Sequence, residues 1–283
     1  MKFKLETAQL FVPDNLPAGK ALARTTHMGI GAHQDDLEIM AIDGILQCFQ
    51  RTDKWFTGVV MTNGSGSPRD DLYNDYTDED MRAVRAKEQK KAAIVGEYTA
   101  QVLLDYTSAA VRDPTNKDTV EDLLLLLDHA RPEVVYTHNL ADKHSTHVGV
   151  GLRVIEAIRQ LPASKRPKAI YGCEVWRALD WMRDEDKVVF DLSQRDNLQA
   201  ALLGVFDSQI CGGKRYDLAT MGRRRAHATY YASHGLDTAT GLSFAMDLTP
   251  LIEDPDKDIR VYVKGFIDRF AADVQSLLDQ TLS

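Results

Sequence analysis

The 283-residue chain is poor in cysteine, in long apolar runs and in positive charge. Its three cysteines, Cys48, Cys173 and Cys211, lie far apart and form no CxxC pair. That excludes a disulfide framework and a thiolate zinc site, and fits a reducing compartment. The longest purely aliphatic run, residues 123–127, falls far short of the roughly 20 residues of a membrane span. Lys and Arg number 34 against 42 Asp and Glu, a net charge of −8. No nucleic-acid or anionic-membrane partner is therefore expected. Residues 1–6 show no apolar targeting segment, so the expected location is the cytoplasm. Any metal falls to histidine and carboxylate.

What is present is ordinary globular composition, 44% hydrophobic and 27% charged. Strand-like and helical stretches alternate from residue 28. Strands are expected over 28–32, 55–62, 102–104, 133–137, 168–174 and 187–192. Helical spacing predicts helices over 36–49, 78–96, 119–130, 146–160, 194–206 and 259–278. This alternation indicates βαβ units and an α/β fold with a mainly parallel sheet flanked by helices. No linker forces a boundary, so residues 1–283 are expected to form one domain. Residues 1–25 are expected to be an edge strand or a surface arm. Residues 211–245 give no clear pattern.

Ligands of open parallel sheets bind beyond the carboxyl ends of the strands. Two polar clusters fall there. One is Ala32-His33-Gln34-Asp35-Asp36-Leu37-Glu38, after the first strand. The other runs from His138 to His147 after the fourth and holds three of the eight histidines. His33 and Asp36 could supply two metal ligands, and His144 and His147 a third ligand and a second role. Asp35 would be left free as a base. The plainer alternative is helix capping by Asp35 or Asp36 and by Asp142 or Ser145, which does not exclude ligation.

His33-Gln34-Asp35-Asp36-Leu37-Glu38 resembles the H-P-D-D-x-E signature of the PIG-L/LmbE-like deacetylases. His144-Ser145-Thr146-His147 resembles that family's H-x-D-H signature, and Arg85-Ala86-Lys87-Glu88 its R-x-x-E helix. The resemblance covers residues 28–160 and continues more faintly through Asp207-Ser208-Gln209. It implies a Rossmann-like sheet holding one Zn²⁺ on His33, Asp36 and His147. Asp35 would be the general base, His144 the cationic partner of the tetrahedral intermediate, and Arg85 a contact for substrate hydroxyls. The implied activity removes an acyl group from an N-acetylated small molecule, a sugar such as an N-acetylglucosamine unit above all.

Three positions depart from the pattern. Gln34 stands in place of proline. Thr146 replaces the acidic residue between the histidines, and Asp142 is the candidate substitute and a further substrate contact. Ser108 falls where many members carry an aspartate, for which Asp105 or Asp113 could compensate. The alternatives are the same mechanism on a non-sugar amide, and a non-catalytic sugar- or metal-binding protein. Arg223-Arg224-Arg225 reads as a solvated helix face or a contact for an anionic substrate group. Trp176 and Trp181 read as packing or sugar-stacking residues. Self-association stays open.

Overall fold

The computed structural model describes residues 1–282. Eight strands form one sheet: β1 Gln9–Phe11, β2 His27–Gly31, β3 Phe56–Thr62, β4 Ala100–Tyr106, β5 Val134–His138, β6 Ala169–Cys173, β7 Lys187–Asp191 and β8 Leu242–Asp247. Their order is β1-β4-β3-β2-β5-β6-β8-β7. The five central strands are parallel. The edges are antiparallel: β1 on β4, and β8 between β6 and β7. The sheet is therefore mixed, with a parallel centre. Every residue of β2 and β3 is buried, as expected of strands covered by helices on both faces. Two apolar clusters pack the two faces, one around Met28, Ile30 and Val59, the other around Leu37, Ile45 and Val60.

The sequence predicts one helix over 36–49, but the structure has two, Asp36–Met40 and Ile42–Cys48. The break has a visible cause. Arg224 donates from Nη2 to the carbonyls of Glu38 (2.9 Å) and Ile39 (3.2 Å). A continuous helix would return those carbonyls to the amides of residues 42 and 43. Arg224 is thus a buried staple and not a solvated residue. Arg223 donates to the Val175 carbonyl, while Arg225 stays exposed and pairs with Asp196 at the surface, as expected of a solvated face.

β1 is the edge strand, one of the two expectations for residues 1–25, whereas β8 has no counterpart in the expected strands. β1 has only three residues. β8 follows the Gly-rich and basic stretch that hides its pattern. Among the described residues, no helix is long and apolar enough to cross a membrane.

Candidate functional site

β2 and β5 are adjacent and parallel, so the turns that follow them meet. His33 leaves the end of β2, and Asp36 opens the helix Asp36–Met40. His144 and His147 stand at the start of the helix Ser145–Gln160. Their side chains converge. His33 Nδ1 lies 3.2 Å from His147 Nε2 and 3.4 Å from Asp36 Oδ2. His147 Nε2 lies 3.5 Å from Asp36 Oδ2. Two ligands held at about 2.0–2.2 Å on tetrahedral directions stand about 3.3–3.6 Å apart. The three donor atoms therefore form a triangle of the size that one tetrahedral ion spans.

His138, at the end of β5, has no role in the sequence reading but is fully buried at this centre. Its ring stacks on His147 with centroids 3.9 Å apart, and its Nε2 lies 3.3 Å from Asp36 Oδ2. It could belong to a second triplet with Asp36 and His147. However, the Ala32 amide donates to His138 Nε2 at 2.9 Å. A lone pair already taken by an N–H is not free for a metal, so His138 buttresses the triangle. Burial pushes its imidazole down to about 4, and His147 adds to the shift. Its position at a strand end, among three clustered histidines, was the available sequence clue.

Burial favours the neutral form of Asp36, but His147, His138 and the hydrogen bonds outweigh it and hold the carboxyl well below its ordinary range. Asp142 is buried on the far side of His147, with Oδ2 3.5 Å from His147 Nδ1. It also accepts from the His144 amide at 2.9 Å and the Trp176 amide at 3.1 Å. Its carboxylate thus faces His147 and not the cavity; it hydrogen-bonds only the backbone amide of His144 and acts on that imidazole through charge, opposing its downward shift. Burial and then the neighbouring His147 push the His144 imidazole below its ordinary value. The resting site therefore disfavours the imidazolium expected there.

Asp35 has a left-handed backbone, φ 96°, a conformation that costs a residue with a side chain about 1–3 kcal/mol. Two buried neighbours hold the turn. Gln89 Oε1 accepts from the Asp35 amide at 3.2 Å, and Arg85 donates to the Gln34 carbonyl. Gln89 is itself oriented by Glu38, which accepts from its Nε2 at 2.9 Å and from Tyr98 at 2.7 Å. Burial raises the Asp35 carboxyl to about 8. Arg85, 3.6 Å away, opposes the shift, and Asp36 and Glu38 reinforce it.

The cluster floors a cavity of about 660 Å³ lined by His33, Asp35, Asp36, Arg85, His144, Ser108 and Trp176, among others. Arg85 is 2% exposed, and its Nη1 has no partner. On the wall, Gly64 has φ 71°, and a Cβ there would lie 2.4 Å from Gln34 Oε1. Gln34 fixes this wall, donating to the Thr62 carbonyl at 3.1 Å. Glu88 accepts from the amide and hydroxyl of Ser208 at 2.8 and 2.7 Å, which sets Gln209 on the cavity. Asp105 is paired with Arg82 and Asp113 with Thr115. Neither lines the cavity. Trp181 lies away from it, against Phe270.

Residues 28–158 match the family model described as PIG-L, GlcNAc-PI de-N-acetylase. No curated protein matches the chain. Among solved structures, GalB, the 4-carboxy-2-hydroxymuconate hydratase from Pseudomonas putida, is similar at 16% identity and TM-score 0.63, over 79% of this chain and 96% of that one. The N,N'-diacetylchitobiose deacetylase from Pyrococcus horikoshii is similar at 17% identity and TM-score 0.61, over 84% and 88%. The A40926 pseudoaglycone deacetylase Dbv21 is similar at 13% identity and TM-score 0.58, over 79% and 97%. These likenesses establish the fold. It carries a hydratase as well as deacetylases, so chemistry has to be argued from the site. The segment that matches the PIG-L family model, a little under half of the chain, contains His33, Asp35, Asp36, Arg85, His144 and His147.

Proposed function

We propose that this protein is a metal-dependent hydrolase that removes the acyl group from an N-acetylated sugar, with Zn²⁺ as the first candidate ion. The observation that carries this is the triangle of His33 Nδ1, Asp36 Oδ2 and His147 Nε2, with edges of 3.2–3.5 Å. These residues would hold the ion. When bound, the ion polarises the amide carbonyl and lowers the pKa of water from 15.7 to about 7.

The remaining steps belong to the chain's own groups. Asp35 accepts the proton of the attacking water, a contribution of about 10²–10⁴-fold. Its raised proton affinity then suits it to pass that proton to the leaving amine. Asp35 must start ionised, and Arg85 favours that form, as does any cation at the triangle. His144 lines the cavity beside the triangle and donates to the oxygen on which negative charge grows. It is neutral at rest and gains proton affinity only as that charge develops. The free N–H on Arg85 Nη1 offers a donor to a sugar hydroxyl, and Trp176 an apolar face to its ring. Asp142 orients His147.

Arg112 and Lys214 also line the cavity and, among the described residues, have no carboxylate within ion-pairing distance. This favours a sugar with an acidic substituent. Cys48 and Cys173 are buried free thiols, consistent with a reducing cytoplasm.

The test combines metal analysis of the purified protein with amine release from a panel of N-acetylated sugars, with and without an acidic group. We expect one divalent ion per chain and release from part of the panel. Full metal occupancy without release from any N-acylated compound would retire the hydrolase assignment. Absence of metal binding would retire the metal centre as well.

A further inference from the structure

Asp35 sits where a helix cap belongs. It immediately precedes the helix Asp36–Met40, and Asp35-x-x-Glu38 has the spacing of a capping box. In that box the first side chain accepts from the free amides of the helix, and Glu38 would accept from the Asp35 amide. Neither bond forms. Asp35 has φ 96° and ψ −28° in place of the extended backbone of an ordinary cap, and its side chain caps no amide.

Gln89 stands in the gap. Its Oε1 accepts from the Asp35 amide at 3.2 Å, and its Nε2 donates to Glu38 Oε1 at 2.9 Å. Further bonds fix which end of Gln89 faces Asp35. Nε2 also donates to Gln101 Oε1 at 3.3 Å, and Gln101 is set by its own Nε2 on the Val102 carbonyl at 3.0 Å. Tyr98 donates to the same Glu38 oxygen at 2.7 Å. A Cβ on Gly58 would collide with Gln101 Oε1, so β3 leaves room for this polar core. Glu38, Gln89 and Gln101 are all 0% exposed. Amides and a carboxyl group are costly to place away from water unless each is bonded, and this chain of bonds ends on the Asp35 amide.

We propose that Gln89 is a positioning residue that withholds Asp35 from capping its helix and leaves the carboxylate to the cavity. Asp35 has one side chain and two claims on it, the helix amides and the reacting centre. With Gln89 Oε1 on its amide, the Asp35 peptide is held left-handed and the carboxylate lines the cavity. Without Gln89, Glu38 closes the box directly and Asp35 returns to the helix. This assignment rests on the hydrolase reading for what Asp35 does, but not for how its backbone is held.

Gln89→Met keeps the side chain's length and removes its hydrogen bonds. The crystal structure of the metal-loaded variant should show Asp35 with negative φ and its carboxylate on the amide of Leu37 or Glu38. On a sugar that the parent hydrolyses, kcat should fall about 10²-fold, with KM and metal content unchanged. Gln89→Asn, which draws the amide back by one methylene, should give the same result and serves where the methionine variant fails to fold. Tyr136→Phe is the control. It removes a buried 2.7 Å bond to Asp43 outside this network and should keep parental turnover. An equal fall in that control would make the loss general core damage and overturn the proposal. A left-handed Asp35 in a folded Gln89 variant overturns it whether or not any sugar is hydrolysed, and a turned Asp35 with parental kcat does so as well. If the parent hydrolyses nothing, the hydrolase reading fails alone, and the Asp35 backbone still decides for or against Gln89.

Discussion

The two ends of β2 and β5 each bury a histidine, and the two histidines share a strongly lowered pKa. At the amino end, burial of His27 brings its imidazole to about 4. At the carboxyl end, burial does the same to His138. What differs is the company. His27 Nδ1 has the Thr26 hydroxyl at 2.9 Å, and nearby Thr25 and Thr57 satisfy one another at 2.7 Å. His138 stands behind three donor atoms that crowd together, beside a carboxylate held ionised in a buried site. Burial and a shifted pKa therefore do not distinguish a structural histidine from a functional centre. Convergence of lone pairs that would otherwise repel does so. Within the centre, the Ala32 amide separates the buttress His138 from the ligand candidates.

The sharpest way to break this contrast is Asp35→Asn. Turnover should fall about 10²–10⁴-fold while metal content is unchanged. Turnover near the parent level would remove Asp35 from the chemistry.

The next largest effect lies at the opposite end. His27 has a folded pKa near 4 against 6.5 unfolded, so the unfolded chain takes up a proton first as pH falls. Its stabilising contribution is complete above about pH 6.5 and is lost on acidification toward pH 4. The loss amounts to about 3 kcal/mol, from 1.36 kcal/mol per pKa unit. Denaturant titrations across that range should show a flatter pH dependence for His27→Gln. Identical slopes for the two proteins would mean that His27 is not buried as a neutral ring.

Asp142→Asn comes third. Loss of its carboxylate behind His147 should weaken metal binding about 10–100-fold, measured by competition with a chelator. An unchanged affinity would argue that the carboxylate does not orient the ligand. His138→Gln, the smallest change, should keep one ion per chain, and loss of the ion would make His138 a ligand.

Much of this site was legible because both clusters follow strands, where a parallel sheet collects its ligands. His33, Asp36 and His147 meet because β2 and β5 are neighbours, which the sequence suggests only through the βαβ alternation. His138 escaped because a strand's last residue carries no pattern of its own, and its role depends on an amide 106 positions earlier. Asp142 lies close to His144 in sequence and does act on its imidazole through charge, but the turn before the helix sends the carboxylate itself toward His147, which spacing alone does not reveal. The break at Ala41 depends on Arg224, a partner from far along the chain. Periodicity cannot register such a partner.

The central claim concerns which atoms meet at the centre. The most direct measurement is an anomalous difference map at the zinc edge from crystals of the zinc-loaded protein. One peak within about 2.0–2.2 Å of His33 Nδ1, Asp36 Oδ2 and His147 Nε2 is the predicted result. A peak ligated by His138 Nε2, or none in the cluster, would contradict it.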